Sequence, residues 1–337
     1  MRKFSQIFLL FLVLALFMFA GTACKKRTYA ADGVFTAFET KTTKFGGPEL
    51  VIVEVTIEND KITKFNIDTV QSYQTTGRGG SKAWAFNTES KKEKGYKYGM
   101  HNNNPNAGFN LNTQEGINDY KKYLKDHNLL EWFEQAELVE KFWLEKGVDA
   151  VKVDDQGYFD NIANVTIVDN YTKVAKKAIE NAKKGLAIAL AINGSDVVWA
   201  EAKVDKNGKF TSLKLDTLQG DTDQETGKFT WHAKTKQQKQ YEYGMHNNLE
   251  GAGFDLKTTE GINNYKKFLK DNKLLEWFEQ ANIISDFVLK NGVNKLEPFI
   301  NNNGKIEANE GDAVAAVTII VSHYFKALTK LYDNFSK

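Results

Sequence analysis

Two threonines stand at matching positions, each with an aspartate six residues before it. The first pair is Asp160 with Thr166, and the second is Asp312 with Thr318. Apolar residues at helical spacing follow each threonine, so we expect Thr166 and Thr318 at helix N-termini. Free backbone N–H groups and the positive end of the helix dipole favour a phosphate oxygen there. Alternatively, each threonine is only an N-cap and each aspartate only a helix-start acid.

The hexapeptide Tyr-Gly-Met-His-Asn-Asn occurs twice, beginning at residues 98 and 243. It combines ring-stacking and hydrogen-bonding side chains. Its aromatic, thioether and imidazole groups are therefore candidate binding residues: Tyr98, Met100, His101, Tyr243, Met245 and His246. The alternative is that the motif is repeated because both copies pack in the same way.

These motifs belong to a longer internal duplication. Residues 98–136 and 243–281 share 29 of 39 aligned positions at an offset of 145. Two copies are too few for a solenoid, and each copy, at about 150 residues, is long enough to bury its own core. We therefore expect two tandem domains, residues 32–184 and residues 185–337.

Each copy combines strand and helix signals. Residues 50–68 alternate at period two around Glu58-Asn59-Asp60, which predicts a β-hairpin, and Asn207-Gly208 marks the matching turn of the second copy. Residues 114–146 and 259–291 carry apolar residues at helical spacing. The predicted fold class is α+β, with a small antiparallel sheet and flanking helices in each domain.

The composition excludes several functions. The chain has 337 residues, a formal net charge of +2, 12% aromatic residues and one cysteine. A nearly neutral chain has no strong field for phosphate backbones, so nucleic acid is not expected as a partner. One thiol cannot form an internal disulfide, a thiolate zinc cage or a cysteine-ligated iron–sulfur cluster. We predict no metal site and no catalytic residue.

The start of the chain has the pattern of a lipoprotein leader. A cationic start is followed by an apolar run over residues 7–19 and by Ala20-Gly21-Thr22-Ala23 directly before Cys24. We expect residues 1–23 to be a signal peptide, and residues 24–31 to form the cysteine, carrying palmitate-type acyl chains, and its tether. The protein would then lie on the extracytoplasmic face of the cell membrane of a Gram-positive-type bacterium. A plain signal peptide or anchor helix is the alternative.

The hairpin sequence of residues 51–67, VIVEVTIENDKITKFNI, and the Asp-x5-Thr segments before a terminal amphipathic helix together resemble the FMN-binding domain family. The resemblance implies covalent FMN, two per chain, esterified to Thr166 and Thr318 by an ApbE-type flavin transferase. It implies that Asp160 and Asp312 act during this loading. The side chains that would line the isoalloxazine are those of the repeated hexapeptides, Tyr98, Met100, His101, Tyr243, Met245 and His246.

For the whole chain, the resemblance implies a membrane-anchored electron carrier rather than a substrate-specific enzyme. Electrons would come from a membrane quinone or an NADH dehydrogenase and pass to extracellular acceptors such as iron(III). Because the tether is short, we expect the first domain to meet the donor and the second to face the acceptor. The leader also resembles those of lipoproteins whose hydrophobic tail is released as a peptide pheromone.

Two other functions are compatible with the same sequence. The first is a non-redox surface lipoprotein with two ligand- or partner-binding modules. The second is a solute-binding lipoprotein of a transporter, which a tandem duplicated short α+β unit fits poorly.

Overall fold

A computed structural model describes residues 27–335. The predicted signal peptide and the predicted lipidation residue, Cys24, lie outside the described residues. Helices and antiparallel sheets are mixed, as the α+β class requires. The strands are β1 (Gly33–Thr42), β2 (Pro48–Glu58), β3 (Lys61–Thr76), β4 (Lys82–Phe86), β5 (Leu186–Asn193), β6 (Asp196–Val204), β7 (Phe210–Leu218), β8 (Gly220–Thr222) and β9 (Phe229–Trp231). The helices are α1 (Lys91–Lys94), α2 (Gln114–Asp126), α3 (Trp132–Lys146), α4 (Thr172–Lys184), α5 (Lys236–Lys239), α6 (Thr259–Asp271), α7 (Trp277–Asn291) and α8 (Ser322–Asp333).

The first four strands form one antiparallel sheet in the order β1-β2-β3-β4. Along β2, Val51, Val53 and Val55 are fully buried, while the residues between them are half-buried, which is the pattern of a strand with one face on a core. The turn into β3 has positive φ at Asn59 and Asp60, 52° and 60°. This conformation suits a two-residue hairpin turn, and the predicted hairpin is confirmed.

Strands β5, β6 and β7 form a second antiparallel sheet, and β8 pairs with β9. The turn between β6 and β7 is closed by Asp205, whose carboxylate accepts from the backbone N–H groups of Asn207 at 2.8 Å and Lys209 at 3.0 Å. Gly208 has a φ of 78°, which favours glycine. The predicted turn at Asn207-Gly208 is therefore confirmed.

Helices cover the sheets. Helix α4 packs on β1 and β2, and α8 packs on β5 and β6, while α3 lies on β3 and α7 on β7. In α4, the buried residues include Val174, Ala175 and Ala178, which lie on one face at helical spacing. No helix within residues 27–335 is long and apolar enough to cross a bilayer.

The predicted domain boundary falls at Gly185, where left-handed backbone with a φ of 64° ends α4. We call residues 27–184 the first half and residues 185–335 the second half. Buried side chains of both halves form one continuous hydrophobic cluster, so the halves share a core. Their division into two tandem domains stays a prediction.

Two tryptophans join the halves through hydrogen bonds. Trp84 Nε1 donates to Gly227 O at 2.8 Å, and Trp231 Nε1 donates to Lys41 O at 3.0 Å. The Trp231 ring also stacks near Phe86 with centroids 6.4 Å apart. Because these contacts cross from one half to the other, they fix the relative position of the two sheets.

The segment before β1 is already part of the fold. The Asp60 carboxylate accepts from the backbone N–H groups of Thr28 at 3.0 Å and Tyr29 at 2.9 Å. Hydrogen bonds from these N–H groups lower the pKa of Asp60. Ala31 is fully buried. The last residues of the predicted tether are therefore held by the turn between β2 and β3.

Candidate functional site

Thr166 and Thr318 lie in loops, not at helix ends. Helix α4 begins at Thr172 and α8 at Ser322, six and four residues beyond these threonines. The expected helix N-termini are therefore wrong, because residues between each threonine and its helix form an isolated β-bridge and pack into the core. Both threonine side chains are exposed. An exposed hydroxyl is accessible to a reactant, whereas an N-cap hydroxyl is bound by the helix backbone.

A buried glutamine holds each threonine. Gln135 Oε1 accepts from the Thr166 backbone N–H at 2.7 Å and from its Oγ1 hydroxyl at 3.2 Å. Gln280 Oε1 accepts from Thr318 at the same two distances and from the Ile319 N–H at 3.1 Å. Both glutamines are 1% exposed. Each amide therefore orients a hydroxyl whose oxygen lone pairs stay available to another partner.

The other end of the glutamine amide reaches the repeated hexapeptide. Gln135 Nε2 donates to Leu130 O at 2.9 Å and lies 3.6 Å from Met100 Sδ. His101 Nε2 donates to the same carbonyl at 3.0 Å. The second half has the same contacts, made by Gln280, Leu275, Met245 and His246. The structure therefore brings the candidate methionine, histidine and threonine of each half to one buried amide.

A buried glutamate fixes the hexapeptide to helix α3. Glu131 accepts from Met100 N–H at 3.0 Å, from Tyr120 Oη at 2.6 Å and from Trp132 N–H at 2.7 Å. Burial raises the pKa of Glu131, and these donors oppose the rise. In the second half, the matching acceptor and donors are Glu276, Met245, Tyr265 and Trp277.

Next to the hexapeptide, three aromatic rings and a lysine form what we call the aromatic column. Tyr98 meets Trp132 edge-on with centroids 6.4 Å apart, and Trp132 Nε1 donates to Tyr171 Oη at 3.3 Å. Lys91 Nζ lies 5.1 Å from the Tyr98 ring and 5.4 Å from the Trp132 ring, within cation–π range. The second column consists of Tyr243, Trp277, Tyr324 and Lys236. These rings are occupied by contacts within the protein.

The first column shifts the pKa values of its titratable groups. Burial raises the pKa of Tyr98 and of Tyr171 to about 12. Burial also lowers the pKa of Lys91. The carboxylates that oppose this second shift are Glu49, Asp68 and Glu131. Lys91 is thus a desolvated cation facing three acidic groups.

Asp160 and Asp312 occupy different local structures. Asp160 is exposed, and its backbone N–H donates to Lys152 O at 2.9 Å. The same backbone position in the second half is taken by Glu307, whose N–H donates to Phe299 O at 2.7 Å. The Asp312 carboxylate instead accepts from the Asn309 N–H at 2.8 Å. Neither aspartate begins a helix, and equal spacing to the threonine does not give them equal surroundings.

The threonine environment fits an ester bond, because each hydroxyl is exposed and oriented by a buried acceptor. The hexapeptide side chains support the loop instead: the imidazoles and thioethers contact the amide or its carbonyl partner. Cavities of 630 Å³ between the halves and 700 Å³ beside His232 are lined by neither Thr166 nor Thr318. Contact between the hexapeptides and an isoalloxazine ring stays a prediction. Within residues 27–335, no group of three His, Cys, Asp or Glu side chains is arranged to hold a metal ion.

Several residues of the site were not singled out from the sequence. They are the glutamines Gln135 and Gln280, the lysines Lys91 and Lys236, and the tyrosines Tyr171 and Tyr324. The glutamines and the lysines occupy equivalent positions at the offset of 145, whereas Tyr324 follows Tyr171 by 153 residues. The duplication was therefore the signal that could have identified them, because a polar residue retained on an otherwise apolar helix face indicates a buried hydrogen bond.

Comparison with known proteins adds little to this geometry. No family model and no curated protein matches the chain. A solution NMR structure of a protein from Clostridium thermocellum is similar to part of it, with 23% sequence identity and a TM-score of 0.26, covering 45% of this chain and 92% of that one. A likeness at this score does not establish a shared fold.

Proposed function

We propose that this chain is a lipid-anchored electron carrier on the extracytoplasmic face of the cell membrane, with FMN esterified to Thr166 and Thr318 in two tandem FMN-binding-like domains. The observation that carries the proposal is the threonine–glutamine contact. In both halves an exposed hydroxyl donates to a buried glutamine at 3.2 Å. A buried amide that orients an exposed hydroxyl suits attachment better than capping.

The residues of the chain have separate roles in this proposal. Bound FMN would supply the redox chemistry. During loading by an ApbE-type transferase, threonine Oγ1 would replace AMP on the FMN phosphorus of FAD: the phosphoanhydride bond would break, an Oγ1–P bond would form, AMP would leave, and the hydroxyl proton would pass to solvent. Gln135 and Gln280 hold the attacking oxygen in place, because each also binds the backbone N–H of its threonine. Asp160 and Asp312 would contact the transferase during this reaction.

The proposed partners follow from the location. A membrane quinone or an NADH dehydrogenase would supply electrons, and extracellular acceptors such as iron(III) would take them. An ester bond keeps the flavin on the protein whatever the FMN concentration outside the cell. The chain itself would act as a carrier, so that no substrate-specific catalytic residue is required.

The test is flavin content after co-expression with the cognate transferase. We expect the acid-precipitated protein to stay yellow with two FMN per chain, Thr166→Ala or Thr318→Ala to halve the flavin, and the double variant to be colourless. Thr166→Ser is the matched control, because it keeps the hydroxyl that Gln135 holds. A wild-type protein that is colourless and of unmodified mass contradicts the proposal and favours a surface lipoprotein with two binding modules.

A further inference from the structure

One end of the described molecule collects the hairpin turns and the C-terminal ends of two helices. The Ala30 N–H donates to Ala182 O at 3.0 Å, and the Val34 N–H donates to Asn334 O at 3.1 Å. These bonds place the ends of α4 and α8 beside the start of β1. The two hairpin turns lie at the same end. A Cβ atom placed on Gly208 would lie 4.0 Å from Asp32 O. We call this the clamp end, residues 27–34, 58–64, 180–185, 205–209 and 333–335.

The chain from the predicted lipid enters the fold at the clamp end. Arg27 is fixed there by an ion pair with Asp32. Only Lys25 and Lys26 separate Arg27 from Cys24. Three residue steps span at most about 11 Å, so an acylated Cys24 would hold the clamp end close to the bilayer.

The charge of the clamp end suits an anionic surface. The carboxylates of Asp60 and Asp205 keep their negative charge, but backbone N–H groups of the turns and of the incoming chain donate to them. The exposed carboxylates at this end are Glu58, Asp333 and Glu180, and Glu180 forms an ion pair with Lys184. Exposed lysines outnumber them: Lys61, Lys64, Lys183, Lys184, Lys206 and Lys209. Lysines within a Debye length of anionic headgroups are attracted to them.

The opposite end cannot reach the same membrane. It carries the loop between β1 and β2, where Phe45 is 79% exposed and Lys44 Nζ lies 5.1 Å from its ring. An aromatic ring beside a lysine is also a membrane-binding pattern. However, β1 has ten residues and spans about 33 Å, three times the reach of the chain between Cys24 and Arg27. An anchored molecule therefore points Phe45 away from the bilayer.

The two candidate sites stand at equal heights above the clamp end. Thr69 Oγ1 contacts Tyr171 Oη at 3.4 Å, and Thr217 Oγ1 contacts Tyr324 Oη at 2.5 Å. Each of these threonines follows its hairpin turn, at Asp60 or at Gly208, by nine residues along the strand. At strand rise this distance is about 30 Å in both halves. The two aromatic columns are therefore at the same distance from the clamp end. The two glutamines, one turn along the helices that carry the tryptophans, are also at equal distances from it.

We infer that the clamp end is a docking surface for anionic lipid and that it holds both candidate sites side by side at one distance from the bilayer. The inference rests on lipid anchoring at Cys24, which belongs to the proposed function. It replaces the expected order in which the first half faces the membrane and the second faces outward. Either half is then equally placed for a membrane donor.

Lysine footprinting tests the orientation. The full lipidated protein on vesicles of phosphatidylcholine with about one-third phosphatidylglycerol is acetylated, and each lysine is compared with that in the unlipidated mature chain in solution. We expect labelling of Lys61 in the first half and of Lys206 and Lys209 in the second to fall several-fold on vesicles. Labelling of Lys44, and of Lys228, which packs beside Gly46 at the opposite end, should not change. Protection of Lys44, or of one hairpin turn without the other, overturns the inference.

A pair of charge reversals separates lipid docking from simple tethering. Lys206→Glu with Lys209→Glu should abolish the protection of Lys61 on anionic vesicles, whereas Lys44→Glu with Lys228→Glu, equally exposed, should leave it intact. Protection of Lys61 that survives the first pair contradicts docking through charge. An intact-mass measurement distinguishes failure of the lipid anchor from failure of this inference. A protein without acyl chains overturns both. An acylated protein whose protected lysines lie elsewhere overturns this inference alone.

Discussion

The two halves hold their threonines by the same contacts. They differ in a nearby pair of side chains, which is an ion pair in the first half and neutral in the second. Lys92 Nζ binds Glu140 Oε1 at 2.6 Å, and the same oxygen accepts from the Ile67 N–H at 2.6 Å. The equivalent residues of the second half are Gln237, which donates to Leu215 O at 3.1 Å, and Ser285, which donates to Ala281 O at 2.8 Å.

The difference separates what the proposed attachment needs from what can vary around it. The threonine, glutamine and glutamate contacts are retained almost atom for atom, whereas the ion pair is replaced by amide and hydroxyl groups. Charge and hydrogen bonding near a cofactor are the means by which a protein adjusts its potential. We therefore expect two sites with the same attachment and different potentials.

Removal of the shared glutamate should have the largest effect, and it should be equal in the two halves. Glu131→Ala and Glu276→Ala each leave three donors, two of them buried, without an acceptor. We expect each to lower the free energy of unfolding by about 4 kcal/mol, measured by urea denaturation. Glu115→Ala, exposed in the first turn of α2, is the control. A much smaller loss at one of the two positions means that the networks are not equivalent.

Loss of the ion pair should destabilise only the first half. Lys92→Met leaves Glu140 buried without its cation and should lower the free energy of unfolding by about 3 kcal/mol, whereas Gln237→Met should lower it by less than about 1 kcal/mol. Lys92→Met with Glu140→Met should recover most of the loss.

The same variant has a defined pH dependence. Burial already raises the pKa of Glu140, and the Lys92→Met protein lacks the opposing cation. The penalty for burying the charged carboxylate is complete above its raised pKa in the folded state and disappears as the pH falls through it. The deficit of Lys92→Met should therefore shrink on acidification. A deficit that is constant with pH indicates that Glu140 is not the group responsible.

How much of this was predictable depends on what kind of signal each element carries. The hairpin of β2 and β3 and helices α2 and α3 have clean periodicity, and the repeat doubled that evidence. Strands β1 and β5 were not predicted. The helix starts were placed too early: Val168 and Ile320 continue the apolar spacing of the helices, but each lies in an isolated β-bridge.

The position of the threonines could not be read from the sequence for a similar reason. In the first half, Asp169 accepts from the N–H groups of Tyr171 and Thr172 and so begins α4 in place of Thr166. The partner of Thr166 is Gln135, 31 residues away. A hydrogen bond between distant residues depends on how α3 packs against the loop, which local patterns do not specify.

The glutamine contacts should show a smaller difference between the halves. Gln135 accepts two hydrogen bonds from the threonine loop and Gln280 accepts three. We expect Gln280→Leu to lower the free energy of unfolding by about 1 kcal/mol more than Gln135→Leu, and each to reduce flavin loading only in its own half. Equal flavin loss in both halves from one variant means that the sites are coupled, and separate peptide-level quantitation detects it.

The smallest expected difference concerns alkaline pH. The pKa of Tyr98 is raised to about 12 by burial, so the folded state keeps its proton when the unfolded chain loses it. The stability from this group is complete below about pH 10 and is lost as the pH rises towards 12. Tyr98→Phe should therefore flatten the alkaline decline in the free energy of unfolding, measured by urea denaturation. An alkaline decline that is as steep in Tyr98→Phe as in the wild-type protein contradicts this role of Tyr98.

Peptide mapping of the protein from its native membrane tests the central claim most directly. Trypsin should release residues 153–173, which contain Thr166, and residues 306–326, which contain Thr318. Our account predicts that both peptides carry the mass of FMN less water, with fragmentation assigning it to Thr166 rather than Thr172 and to Thr318 rather than Ser322. Unmodified peptides from protein that has met its transferase would contradict covalent attachment in both halves.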